Sequence, residues 1–118
     1  MDYGTFIWIG ASGKAYEMNA WSLDVSITPG ICGNYIFGEM YRNEDGRLKI
    51  KAIYIGEGNL KDRIDFRINE GRVQRKGCNC FCAMVNENEE SRKAIEEDLL
   101  AANPDSYEPI GCNIRIGG

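Results

Sequence analysis

Four side chains in this sequence have types and spacing that could do chemistry together: Tyr35, Tyr54, Arg63 and Glu96. Tyr35 ends Gly33-Asn34-Tyr35 at the head of one apolar run, and Tyr54 begins Tyr54-Ile55-Gly56 at the tail of the next. A phenol moves protons near neutral pH only where its pKa of roughly 10 is lowered. Otherwise a tyrosine in a strand is an apolar body with a polar tip. Arg63 and Arg67 flank the apolar face of the helical pattern that follows. Each either points along the sheet edge toward the strand ends or lies on a solvated helix flank. At about 100° per residue, Glu96 falls inside the apolar arc of Ile95, Leu99 and Leu100, whereas Glu97 and Asp98 fall outside it, toward water. A carboxylate turned toward the protein body is costly unless paired or bound to a metal. Glu96 is therefore either a functional group or a residue at the edge of the helix footprint, paired with a nearby arginine.

Other candidates carry less. The chain has no histidine, which removes the commonest general base and the usual transition-metal ligand. Cys78, Cys80 and Cys82 alternate with Asn79 and Phe81, a spacing that predicts three thiols on one strand face. The outer two would lie about 13 Å apart at the backbone, too far for one zinc to take all three readily. Core packing is the main reading, with metal binding and redox chemistry as alternatives. Gly10-Ala11-Ser12-Gly13-Lys14 lacks the first glycine and the Ser/Thr of a phosphate loop and reads as a hairpin turn.

The elements that must position these residues follow from pattern. Two apolar stretches around residues 10–13 predict an N-terminal β-hairpin. After the turn-rich "SITPGICG", "NYIFGEMYR" and "LKIKAIYIG" flank an Asp-Gly turn and predict a second hairpin. Asn59 is a good N-cap with Asp62 three residues on, and Leu60, Ile64 and Ile68 then share one helix face, the segment closing at Gly77. "CNCFCAMV" predicts a strand. Asn86 or Asn88 starts a second helix that stops before Pro104. The order predicts a small α+β domain, a mainly antiparallel sheet flanked by helices.

The 118 residues fit one domain with a real core. We expect a hairpin extension over 1–30 and a core over 31–113. A net charge of −4 counts against a strong, non-specific nucleic-acid binder. A local basic patch remains at Lys61, Arg63, Arg67, Arg72, Arg75 and Lys76. No apolar run is long enough to span a membrane, and the N-terminus lacks a signal-peptide pattern, so a cytoplasmic address is expected. Five cysteines cannot all pair, and without an export signal reduced thiols are expected.

Taken together, the Gly-x-Tyr and Tyr-x-Gly runs, the Asn-Leu-x-x-Arg of "GNLKDR", Glu96 shortly before Leu99-Leu100, and Asn113 near the domain end resemble the GIY-YIG endonuclease family. The likeness runs from about Gly33 to Asn113. It implies divalent-metal-dependent hydrolysis of a phosphodiester in nucleic acid, DNA in preference to RNA. By the resemblance, Tyr35 is the general base toward water and Tyr54 orients the nucleophile or phosphate. Arg63 stabilises charge on the phosphate, and Glu96 holds Mg²⁺ or Mn²⁺. Gly56, Asn59, Arg67 and Asn113 would border the substrate. With no room for a separate DNA-binding domain, specificity would come from this domain, a homodimer or a partner subunit. The alternative is an inactive interaction module that keeps the fold.

Overall fold

Both hairpins form where a short polar turn joins two runs rich in β-branched and aromatic residues. In the computed structural model, which describes residues 1–115, these are β1 (Asp2–Ile9) with β2 (Ala15–Ser22), and β3 (Cys32–Arg42) with β4 (Leu48–Asn59). In the second turn the Asn43 side chain accepts the amides of Asp45 and Arg47, and Gly46 takes the left-handed conformation, φ 78°. After β4 come α1 (Leu60–Glu70), the short α2 (Arg72–Arg75), β5 (Cys80–Val85) and α3 (Glu89–Ala102). A single turn of 3₁₀ helix, Pro104–Ser106, follows.

The five strands make one antiparallel sheet in the order β1-β2-β5-β3-β4. The N-terminal hairpin thus extends the core sheet through β5. Alternation gives each strand two faces, and both are covered. On one face Tyr35, Phe37, Ile53 and Phe81 pack with Leu60 and Ile64 of α1 and Val73 of α2. On the other, Trp8, Met18, Ile36 and Ile55 pack with Leu99 of α3. The molecule is an α+β domain with one sheet between helices. Among the described residues, no helix is long and apolar enough to cross a membrane.

Asn59 caps α1 by accepting the Asp62 amide at 3.2 Å, and Leu60 and Ile64 are buried as their spacing requires. The helix stops at Glu70, earlier than the expected close at Gly77. Gly71, at φ 82°, sends its amide back to the Arg67 carbonyl, ending α1 and beginning α2. Asn88, whose side chain accepts the Ser91 amide, is the cap of α3.

Two orientations differ from expectation. Cys78 does not share a face with Cys82: it packs in the α1–α2 core, whereas Cys82 lies in the α3 core. The pleat starts only at Cys80, because the Cys78 amide is still bonded to Val73 and the Asn79 side chain is clamped to both backbone groups of Met40. All three thiols are buried, and burial pushes each up to about 12, so they serve as core residues with no thiolate at neutral pH. Asp98, expected to face water, instead accepts hydrogen bonds from the Ser12 amide, the Ser12 hydroxyl and the Tyr16 hydroxyl. It straps α3 to the first hairpin turn. A Cβ on Gly10 would stand 2.0 Å from the Asp98 carboxylate and push it out of these bonds.

Candidate active site

The four sequence-selected residues meet around β4, at one edge of the sheet. Tyr35 on β3 is directly opposite Gly56 on β4, and Phe37 is opposite Tyr54, so both phenols rise from the α1 face on adjoining strands. Their rings stack at 6.2 Å with an interplanar angle of 24°, and Phe37 meets Tyr35 edge-on at 5.8 Å. The motif glycines have packing reasons. A Cβ on Gly33 would stand 1.9 Å from the Met84 carbonyl oxygen, and one on Gly56 would stand 2.4 Å from the Tyr35 hydroxyl. Gly56→Ala is therefore expected to displace the Tyr35 ring and cost about 1–3 kcal/mol, read by urea denaturation. Wild-type stability in that variant would show that the ring can move freely.

Tyr54 is half-buried and is held by Arg67, one further helical turn along α1 than Arg63. The guanidinium lies 4.2 Å over the Tyr54 ring and its Nη2 donates to the hydroxyl at 2.7 Å. Arg67 also pairs with Glu70 at 3.3 Å. Arg63 is exposed, with its Nε 3.2 Å from where a Cβ on Gly58 would stand, and makes no ion pair with a described residue. Tyr35 is only 2 % exposed. Burial holds its hydroxyl far above the ordinary phenol range. Tyr54 and Glu96 push the same way, and Arg67 and Arg63 oppose them. Both arginines and Glu96 are thus within electrostatic range of this phenol.

Glu96 projects from α3 and is half-buried. Burial raises its pKa, Glu57 and Glu97 add to the rise, and Arg63 and Lys93 work against it. Among the described residues nothing donates a hydrogen bond to its carboxylate. The other acid close by, Glu57, is neutralised by Arg92 of α3, whose Nε donates to it at 2.9 Å. Arg92 and Glu57 retain side-chain exposures of only 11 and 17 %.

A cleft of about 610 Å³ opens between these groups and the C-terminal segment, lined by Tyr54, Arg67, Arg72, Glu96, Tyr107 and Asn113 among others. Tyr35 lies behind Tyr54 and Arg63 lies to one side; neither lines the cleft itself. Asn113 is committed to structure: its amide accepts from the Ile55 N–H at 2.9 Å and donates to the Ile55 carbonyl at 3.0 Å. Asn59 is likewise occupied as the α1 cap, and Gly56 contributes backbone alone. A smaller apolar cavity, about 230 Å³ between Trp21, Ile27, Ile31 and Phe81, has no charged group in its lining and no means of doing the same chemistry.

Sequence reasoning missed Arg92 and Tyr107, and placed Arg72 only in the basic patch. Arg92 had a signal. It lies one helical turn before Glu96 and two before Leu99, on the same inward stripe of α3. Tyr107 had none, nor had Arg72 beyond its place in that patch, because they reach the cleft through the Gly71 break and the return of residues 107–113 to β4. Much of the basic patch is compensated, Lys61 by Asp65, and Arg72 and Lys76 by Glu108. Among the described residues no group of three or more His, Cys, Asp or Glu could hold a metal ion. No protein-family model, curated protein or solved structure matches this chain.

Proposed function

We propose that this protein is a divalent-metal-dependent phosphodiester hydrolase acting on nucleic acid, DNA before RNA, with its site at the β4 edge. The carrying observation is the gathering of Tyr35, Tyr54, Arg63, Arg67 and Glu96 around one strand end, with Glu96 half-buried and lacking a hydrogen-bond donor. A lone carboxylate of this kind suits a hard cation such as Mg²⁺ or Mn²⁺ that takes its other ligands from water and phosphate. When bound, such an ion supplies positive charge for the phosphate oxygens. Arg63, exposed and unpaired, takes a phosphate oxygen and stabilises the charge that develops on it. Arg67 fixes the Tyr54 hydroxyl so that it orients the phosphate or the attacking water. Tyr35 stands behind as proton acceptor. The Glu57–Arg92 pair keeps a second free carboxylate away from an anionic substrate.

A second reading has its own support. The buried Tyr35 hydroxyl, held above its ordinary range, is a poor base in the resting site. That favours an inactive module that binds nucleic acid or protein through the same face. The two readings separate on incubation with single- and double-stranded DNA and RNA, with Mg²⁺ or Mn²⁺ and with chelator. Metal-dependent cleavage is expected. Arg63→Ala is expected to slow it about 10²–10³-fold with an unchanged melting temperature, since Arg63 supports no described ion pair. Binding without cleavage on every substrate would replace the enzyme with the module.

A further inference from the structure

We propose that β1 pairs edge to edge with β1 of a second copy of this chain, antiparallel and centred on Ile7. This would join two five-stranded sheets into one. The two edges of the sheet are treated differently. At β4 the C-terminal segment covers the backbone: the Cys112 amide bonds to the Ile53 carbonyl and Asn113 brackets Ile55. The β1 edge has no comparable cover among the described residues. The bond from the Gly10 amide to the Lys14 carbonyl fixes the alternation in the first hairpin. Trp8, Phe6 and Gly4 direct their backbone groups to β2, so Thr5, Ile7 and Ile9 direct theirs outward.

The side chains of those same three residues are exposed, Ile7 to 52 % and Ile9 to 54 %. From Tyr3 to Ile9 there is no charge and no proline. Charge and proline, two usual guards of an edge strand, are therefore missing, and the register shift between Asp2 and Gly4 lies outside Thr5–Ile9.

The occupant follows from self-complementarity. A two-fold axis through Ile7 places Ile7 against Ile7 and Thr5 against Ile9, twice. Three such pairs exchange about six backbone hydrogen bonds. On the reverse face Phe6 falls opposite Trp8. No like charges oppose one another anywhere along the seam, and all the facing residues favour strands. A single strand-to-strand seam buries less than the roughly 1,200 Å² of a standard interface, so the dimer is a weak one. The candidate active site is at the opposite edge of the sheet, so the pairing is independent of the proposed hydrolase.

Sedimentation velocity of the full chain from low micromolar to near-millimolar concentration tests this. The wild type is expected to dimerise with rising concentration. Ile7→Lys and Ile7→Glu are each expected to raise the dissociation constant at least tenfold, because each new charge stands opposite its own copy. An equimolar mixture of the two is expected to regain wild-type association or better. Circular dichroism confirms that each variant folds; should Ile7→Lys fail to fold, Ile9→Lys, opposite Thr5, reads the same seam. A wild type monomeric throughout overturns the proposal. So does a folded Ile7→Lys that associates like the wild type, or a mixture that stays monomeric.

Discussion

Replacing Glu96 by glutamine is expected to slow metal-dependent cleavage on the order of a hundredfold or more, while leaving the protein at least as stable as wild type at neutral pH. The two effects come from one geometry. The Glu96 carboxylate is half-buried, has Glu57 and Glu97 as neighbours and receives no hydrogen bond from a described residue, so its folded-state pKa is raised. A group whose folded pKa lies above its unfolded value contributes stability below the unfolded pKa, about 4.3 for Glu, and loses it as pH rises through the folded pKa. The charged form at neutral pH is therefore a cost to folding, and glutamine removes that cost at nearly constant volume. The gain in melting temperature should be smallest near pH 4 and should grow toward pH 7. Two measurements decide the matter: cleavage with Mg²⁺, and thermal unfolding at both pH values. Full activity in the variant would sink the site assignment. A variant that loses stability more at pH 7 than at pH 4 would mean that Glu96 has a stabilising partner.

The local elements that frame this site could be read from sequence because each is specified within a few residues. The Asn59 cap, the Leu60–Ile64 repeat and the Asn43–Gly46 turn satisfy their own hydrogen bonds or bury their own stripe. The convergence of Tyr35, Tyr54 and Arg63 was likewise within reach, since a hairpin followed directly by a helix leaves little freedom in where their Cα atoms lie. What was hidden depends on contacts between distant segments. The pairing of β2 with β5 joins Asn19 to Ala83, and nothing in either strand names the other. Asp98 looked solvated on the helix wheel, yet the first hairpin reaches across to it with three donors, two from Ser12 in the turn and one from Tyr16 on β2. Cys78 followed the strand pattern in sequence but lies before the strand begins, still bonded to α2. Asn113 is committed to Ile55 only because the chain after α3 folds back on β4.

The Glu57–Arg92 pair shows best how such a hidden contact controls the site, and Arg92→Met is expected to be among the most destabilising single substitutions near it. Arg92 donates to Glu57 at 2.9 Å and to the Asn86 carbonyl at 3.1 Å, and its own carbonyl accepts the Asn34 side-chain amide at 2.9 Å. Removing the guanidinium leaves Glu57 with little exposure and no hydrogen-bonded counter-charge, beside a Glu96 that it already disfavours as an anion. Breaking a pair of this kind costs more than the pair contributes, because the surviving charge stays desolvated. For a domain of this size the melting temperature should fall by roughly ten degrees or more. Glu57→Gln should cost much less, since the glutamine carbonyl can still accept from Arg92. The double change Arg92→Met with Glu57→Leu should recover most of the loss, as a buried pair replaced by apolar groups often does. An Arg92→Met protein that melts like wild type, or a double variant no better than the single, would show that the pair is a bystander. The pair would then contribute no net stability, its Coulomb attraction only offsetting the desolvation of its two charges.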